Sequence, residues 1–582
     1  MQSLLSLKKY FIRYRKKLLW GIFFILASNV GTIYIPMLLK DSVNALTTNV
    51  NKDLLLRYGV LILITAIISG VFRFMIRQTI IVVSREIEYD MRQDFWQHLQ
   101  KLPLRYFQNN STGNIMAHIT NDVNSVRMFL GPAVMYSIDT FVILIIVVSF
   151  MFSLDVRLTI YALIPLPLLS YLVYKVGKKI HLKYTRIQEK FSELTAKAQE
   201  NFSGIRVIKS YVRENSEIAE FKKHSREYLN KNMDMIKIQS FFFPIMFLIT
   251  GTSEIIVIWL GGINIMNGTL TLGEISAFII YLGILTWPMI AFGWIINIIQ
   301  QASASMKRLN SILNEKYEIQ DNEKTDYSVK DVKGKIEFRN VSFRYNENLP
   351  YIFRDLNFTI KDGSTIAIVG NTGAGKSSLI NLIPRMYDVT EGEILIDNQN
   401  VKTIPLDVLR KNIGLVPQET FLFSETLANN ILYGTEDHDF SLVEKTSDIS
   451  QINRDVENFP LKYETILGER GITLSGGQKQ RTCLARALAI NPNILILDDS
   501  FSAVDTHTEE EILTKLKEFM RNRTSIIISH RISTVKDSDK IYVLDNGTIA
   551  EEGTHDQLVL HGGIYADMYY KQLLEKELEE LK

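Results

Sequence analysis

The chain has 582 residues, 47% of them hydrophobic, with 65 Lys and Arg against 63 Asp and Glu, a formal net charge of +2. That near-balance gives no support for a nucleic-acid binder, whose footprint is a strong basic excess. The single cysteine, Cys483, excludes an intrachain disulfide and a cysteine-built zinc site.

Apolar residues cluster before residue 300. A bilayer core takes roughly 20 apolar helical residues to cross. Six runs approach that length: Leu18–Leu39, Tyr58–Phe72 with an extension to Val83, Leu130–Leu154, Leu158–Tyr174, Ile238–Ile265 and Ile275–Ile299. The fourth is slightly short, and Arg73 and Arg77 interrupt the second. Lys8, Lys9, Arg13, Arg15, Lys16 and Lys17 precede the first run, as cations precede a signal peptide. That run, however, exceeds the ~7–15 residues of a signal sequence's apolar region, and five more spans follow.

The connections alternate in length. Residues 40–53, 155–157 and 266–274 are short, whereas 84–129 and 177–237 are long, charged and helical in pattern. Arg85, Arg92, Lys101, Arg105 and Arg127, together with the basic opening and with Lys307 and Arg308, put these connections and both termini on the cytoplasmic side of the cytoplasmic membrane. Few Pro or Gly residues interrupt them, so the helices are expected to run on beyond the bilayer. They would reverse near Asn109–Gly113 and Ser203–Gly204 and there meet a cytosolic domain. The opening Lys8–Lys17 reads as an interfacial helix on an anionic leaflet, and the tail Lys571–Lys582 as a solvated helix end.

Asp139 and Glu254 fall inside spans, where ionisable groups are costly and face a cavity or a partner. Either they attract a cationic amphiphile, or they form structural pairs with Arg73, Arg77 or a backbone group. Phe241, Phe242, Phe243, Phe247, Trp259, Tyr281, Trp287 and Trp294 either line an apolar pocket or anchor against lipid. Residues 1–313 thus predict an all-α membrane domain of six transmembrane helices with long cytoplasmic extensions, and 314–335 a polar linker. Residues 336–582 alternate short β-branched runs with helical patterns, the sign of an α/β domain with a largely parallel sheet.

The first chemical motif is Gly370-Asn371-Thr372-Gly373-Ala374-Gly375-Lys376-Ser377, followed by Ser378. It fits G-x-x-x-x-G-K-[ST], follows the apolar run Thr365–Val369 and precedes a helical pattern, the context a phosphate loop requires. Glycines let backbone N–H groups approach ATP phosphates, Lys376 reaches the β- and γ-phosphates, and Ser377 holds Mg²⁺. The second motif, Ile494 to Asp499, is an apolar strand ending in two acids. Asp498 is placed to hold Mg²⁺, directly or through water, and Asp499 to act on the attacking water as general base.

Between the two lies Leu474-Ser475-Gly476-Gly477-Gln478, followed by Lys479-Gln480-Arg481. This pentapeptide resembles the signature of ATP-binding cassette (ABC) proteins. Other family elements occur in the expected order: Phe343-Arg344-Tyr345, Val416-Pro417-Gln418, Gly468-Glu469-Arg470-Gly471, Ser502-Ala503-Val504-Asp505 and Ile528-Ser529-His530-Arg531. The N-terminal half, with Thr112-Gly113 and Asp122 in the first reversal, is similar to the family's exporter-type membrane domain. The whole looks most like bacterial multidrug-exporter half-transporters, P-loop ATPases coupled to transport of a hydrophobic or amphiphilic small molecule. The resemblance implies that Tyr345 stacks on adenine, that Gln418 contacts Mg²⁺ and senses the membrane domain, and that His530 contacts the γ-phosphate. It implies that Ser475 and Gly477, within the 475–478 signature, complete the ATP site of a second cassette. One cassette per chain then implies a dimer.

Where the family usually has Glu, this chain has Asp499. Losing a methylene retracts the carboxylate by ~1.5 Å, and a misplacement of ~1 Å can cost about 10²-fold in rate. Asp-Asp-Ser followed by Ser-Ala-Val-Asp resembles the slow-site chain of heterodimeric exporters, so a heterodimer is favoured over a homodimer. A soluble cassette ATPase acting on DNA would share the signature but not the six spans. A non-transporting regulatory subunit is also allowed by Asp499.

Overall fold

The computed structural model describes residues 2–48, 52–436, 439–468 and 471–580. The chain divides into two compact units, one of residues 1–99 and 112–315, the other of residues 100–111 and 316–582.

In the first unit six helices are long and apolar enough to cross a membrane: α1 (Arg15–Thr48), α2 (Lys52–Leu99), α3 (Thr112–Leu154), α4 (Val156–Ser203), α5 (Glu214–Met266) and α6 (Leu272–Leu313). Each greatly exceeds the roughly 20 residues a crossing needs, so the extensions expected from the scarcity of Pro and Gly are present. The short fourth apolar run is simply the apolar part of a helix that continues to Ser203. Local chemistry makes the tight turns. Asp155 alone separates α3 from α4, in extended backbone, and its carboxylate accepts from Leu158 N at 2.7 Å to cap α4. Thr271 and Glu274 form a reciprocal cap at the start of α6. The second reversal passes through Gly204 and a short helix, Ile205–Ser210.

Ion pairs at regular spacing set the register of the extensions. Lys183, Lys190 and Lys197 on α4 meet Asp234, Glu227 and Glu220 on the antiparallel α5 at 3.6, 3.1 and 3.1 Å. Successive pairs lie seven residues apart on both helices, two turns, so one shared face carries all three. Each exposed pair contributes only ~0–1 kcal/mol; together they disfavour a sliding of one helix on the other. A second ladder, spaced by four, joins Lys9, Arg13 and Lys17 to Asp94, Asp90 and Glu86 of α2 at 2.7, 2.9 and 2.6 Å. Tyr10 and Tyr14 reinforce it by donating to Asp94 and Asp90. Lys9, Arg13 and Lys17 of the basic opening are therefore ion-paired to α2, and they stay exposed together with Lys8, Arg15 and Lys16.

Inside the spans, Asp139 accepts from Asn29 Nδ2 at 2.9 Å, while Arg73 donates to Thr32. Of the partners considered from sequence, Arg73 lies close enough for its charge to act on Asp139, although its guanidinium hydrogen-bonds a hydroxyl on α1. Glu254 is half-buried on α5. Tyr281 is fully buried and donates to the Ile33 carbonyl, so it belongs to the core and not to a pocket wall. Phe241, Phe243, Phe247, Trp259, Trp287 and Trp294 are exposed, and Phe242 packs partly buried against the core.

The second unit is the α/β body. Strands β1 (Ile336–Phe343), β2 (Phe353–Ile360), β4 (Glu391–Ile396) and β5 (Gln399–Asn400) form an antiparallel sheet ordered β2-β1-β4-β5. A six-stranded sheet has the order β10-β9-β3-β8-β7-β6: β3 (Thr365–Val369), β6 (Ile413–Val416), β7 (Ile494–Asp498), β8 (Thr524–Ile528) and β9 (Lys540–Asp545) are parallel, and β10 (Thr548–Gly553) is an antiparallel edge. Successive side chains of a strand point to opposite faces, and both faces are covered here. Ile494 and Ile496 enter one core with Ile526 and Ile528, while Leu495 and Leu497 enter the other with Ile527. That explains the unbroken apolar run of β7.

Residues 316–335 contain no helix or strand, yet they are stitched along this unit. Asp326 N donates to Thr403 O, Asp321 accepts from Leu406 N, and the Asp397 carboxylate takes the N–H groups of Lys333, Gly334 and Lys335. The tip of the first reversal, including the short helix Leu104–Asn109, also belongs here. Leu102, Leu104 and Phe107 line a groove with Met386, Leu406 and Arg410.

In the first unit, Asp122 on α3 is buried and accepts from Ser305 Oγ (2.8 Å) and the Arg308 guanidinium (Nε at 2.9 Å) of α6, with His118 Nδ1 at 2.7 Å. Removing one partner of a buried charge costs more than removing both. Arg308→Ala is expected to destabilise the protein by about 1–3 kcal/mol, and adding Asp122→Asn to recover part of the loss. Thermal unfolding in detergent, with the double variant above the single, checks this.

Candidate ATP site

Parallel pairing puts the carboxyl ends of β3, β8 and β7 side by side, and ligands of open α/β sheets bind outside such ends. Gly370 follows β3, Asp498 ends β7 and His530 follows β8 by two residues. The register fixes their level: Asp498 lies opposite Ile528, and Ile368 opposite Ile528 on the other side. A cleft of about 290 Å³ opens there, lined by Ile352, Thr372, Gly373, Gly375, Lys376, Ser377, Ser378, Gln418, Asp498, Asp499, Ile528 and His530.

The phosphate loop needs glycine at two points for stated steric reasons. Gly375 has φ +97°, and a Cβ there would lie 2.7 Å from atoms of Ile352 and Phe353. A Cβ on Gly370 would sit 2.2 Å from the Leu544 carbonyl oxygen. The loop opens α7 (Lys376–Leu382), so its N–H groups and the positive end of the helix face the cleft. Lys376 is buried, its ammonium donating to the carbonyls of Gly370 (2.8 Å) and Asn371 (3.0 Å). Burial lowers its pKa, and the nearby Asp499 and Asp498 offset only part of that.

Asp498 is also buried, and burial raises its carboxyl pKa; the charge of Asp499 pushes the same way, while a hydrogen bond with Ser377 and the charges of Lys376 and His530 oppose. A carboxylate and a hydroxyl already bonded to each other are hard oxygen donors of the kind Mg²⁺ takes. Asp499 sits beside it at φ +47°, its N–H donating to Ile528 O at 2.9 Å. Among non-glycine residues, Asp and Asn tolerate this left-handed backbone best. Gln418, exposed after β6, completes the rim.

Other sequence-derived residues are not part of the cleft wall. The Tyr345 hydroxyl is 2.8 Å from Ser378 Oγ, and its ring stands edge-on to Phe343 and Tyr387, beside the start of α7 rather than in the cleft wall. Ser475 caps α8 (Gly476–Ala489) in a reciprocal box with Gln478, whose amide also donates to Asp455 at 2.8 Å. Ser475 and Gly476 are exposed, Gly477 and Gln478 half-buried, and none of the four lines this chain's own cleft. A Cβ on Gly477 would lie 2.8 Å from Ala503 O, so the signature packs on the Ser502–Asp505 segment, which Gln480 fastens through Ser502 and Ala503 N. Glu469 and Arg470 lie outside the described residues. Ile352, an apolar wall of the cleft beside the Ile528 of the fifth family element, was missed from sequence because an isolated isoleucine carries no motif.

Comparison with known proteins gives the family. The ABC transporter transmembrane region family matches residues 18–289, and the ABC transporter family, by its ATP-binding domain, residues 353–502. A probable multidrug resistance ABC transporter ATP-binding/permease protein of Bacillus subtilis, YheI, is 36% identical over 97% of this chain and 96% of its own length. An ATP-dependent lipid A-core flippase of Syntrophus aciditrophicus is 33% identical over 94% of this chain and 91% of its own. A bacterial Atm1-family ABC exporter, solved with ATP bound, superposes with a TM-score of 0.80 at 27% identity, covering 96% of this chain and 99% of that one. With a phosphate loop, acidic strand and signature on an α/β cassette, and six helices able to cross a bilayer, the chain belongs to the ABC transporters: it is a multi-pass membrane protein that binds ATP and couples its hydrolysis to export across a membrane.

Proposed function

We propose that this chain is one half of a dimeric exporter of the cytoplasmic membrane, with residues 1–313 as its membrane domain, 336–582 as its cassette, and both termini cytosolic. Its cargo is a hydrophobic or amphiphilic molecule, drug-like or lipid-like. The exposed aromatic residues of α5 and α6 and the printed activities of the relatives, multidrug resistance and lipid flipping, support that cargo class. The lysines and arginines of the long connections support the orientation.

One observation carries the dimer. Ser475 to Gln478 stand exposed or half-exposed outside the cleft that holds the phosphate loop. A second cassette packed head to tail would set its signature over this loop, and this signature over the partner's. Each subunit's N–H and hydroxyl donors would then meet the phosphates from opposite sides. Tyr345 stacks on adenine; the phosphate-loop residues Gly370 to Ser378 cradle the phosphates; Lys376 neutralises the γ-phosphate as charge moves onto the leaving group. Ser377, Gln418 and Asp498 would hold Mg²⁺, which would supply neutralising charge to the phosphates. Asp499 orients and deprotonates the water, and His530 contacts the γ-phosphate. ATP favours the closed pair of cassettes because it binds that state more tightly, and hydrolysis removes the preference.

Asp499 makes this site slow, since its carboxylate stops short of where Glu would place it. A heterodimer follows, in which this chain's signature serves a partner that carries Glu.

Lys376→Ala is expected to weaken ATP binding at this chain's site about tenfold to a hundredfold, the worth of hydrogen bonds to a charged group; unchanged binding removes the role given to Lys376. The purified chain alone should turn over ATP about a hundredfold more slowly than when co-expressed with a Glu-bearing half-transporter. Full activity as a homodimer overturns the heterodimer.

A further inference from the structure

The last helix, α10 after α9 (Thr506–Met520), runs over Ile564–Glu580 and is anchored at its start. The Glu551 carboxylate accepts from Ile564 N (2.6 Å) and Tyr565 N (3.1 Å), and the fully buried Tyr565 places its hydroxyl 2.8 Å from His555 Nδ1. Seven residues later, two turns along the same face, comes Gln572. Its side-chain amide is used at both ends: Oε1 accepts from Ile532 N at 2.9 Å, and Nε2 donates to the main-chain carbonyl of His530. One side chain thus holds the backbone on both sides of Arg531. The buried Glu509 of α9 also accepts from the Arg531 guanidinium and from Thr534 Oγ1 (2.6 Å). The segment that carries His530 to the cleft is thus bonded to two helices, through its backbone to α10 and through its side chains to α9.

We propose that Gln572 is a positioning residue for His530, and that the C-terminal helix thereby sets how well this chain's site distinguishes ATP from ADP. The inference rests on the reading of His530 as the γ-phosphate contact. The side chain must both donate and accept, and must reach across from α10. Glutamate keeps the acceptor for Ile532 N but sets a carboxylate against the His530 carbonyl; alanine loses both bonds. Either change lets the loop turn without touching the nucleotide. ADP, lacking the γ-phosphate, is blind to it.

The test uses the full-length protein in detergent with Mg²⁺, titrating ATP and ADP separately against a fluorescent nucleotide. Gln572→Ala and Gln572→Glu are each expected to weaken ATP about threefold to tenfold, the effect of one or two lost hydrogen bonds, and to leave ADP unchanged. In a His530→Ala background Gln572→Ala should add nothing, because both changes remove the same contact. Equal weakening of ATP and ADP, or losses that add, overturns the positioning role while leaving the site assignment intact. If His530→Ala itself leaves the ATP-to-ADP ratio unchanged, the γ-phosphate reading of His530 is wrong, and this proposal falls with it.

Discussion

Parallel pairing of β3, β8 and β7 is the constraint on which the chemistry of this protein depends. Three segments, the first more than a hundred residues ahead of the other two, end at one level because each strand is hydrogen-bonded to its neighbour in register. A parallel sheet demands cover on both faces, and the alternation of Ile494 and Ile496 with Leu495 and Leu497 between two cores supplies it. With both faces buried, a slip by one residue would exchange the two cores and carry Asp498 off the level of the phosphate loop. The register that packs the interior also aligns the site.

The electrostatics of the cleft follow from that burial. Lys376 and Asp498 are both withdrawn from water, and each is shifted towards its neutral form. Neither is fully compensated by the other within the chain: the ammonium rests on two loop carbonyls and the carboxylate on a serine hydroxyl. A polyanionic nucleotide and a divalent cation are the species that complement such a pair, one for each charge. Asp499 adds a second negative charge held by a backbone conformation that suits aspartate. An aspartate at this position is thus locally comfortable and does no damage to the fold.

The first unit solves a different problem. Long helices without loops to fix them can slide, and a bilayer gives little apolar preference between one helix register and the next. Here charge spacing fixes the register outside the apolar runs. Pairs repeat every seven residues between α4 and α5 and every four between the amino-terminal segment and α2, both as antiparallel ladders. Asp122, bonded to Ser305 and Arg308, ties α3 to α6 by a buried contact of the same kind. Few of these pairs contribute much singly; their regularity selects one alignment.

Sequence alone determined the six apolar spans, the change of architecture near residue 336 and the motifs Gly370–Ser377, Asp498-Asp499 and Ser475–Gln478, because each is a contiguous pattern whose period or chemistry is readable residue by residue. Tertiary structure decided what such patterns cannot contain. Acids at 86, 90 and 94 pair with half of the basic opening, Asn29 hydrogen-bonds Asp139, Tyr281 turns inward, and residues 316–335 lie along the cassette. The same holds for Ile352 in the cleft wall and for Gln572 on the backbone of His530. These pairings join residues distant in the chain, and they are selected by which faces the packed helices and strands turn towards each other.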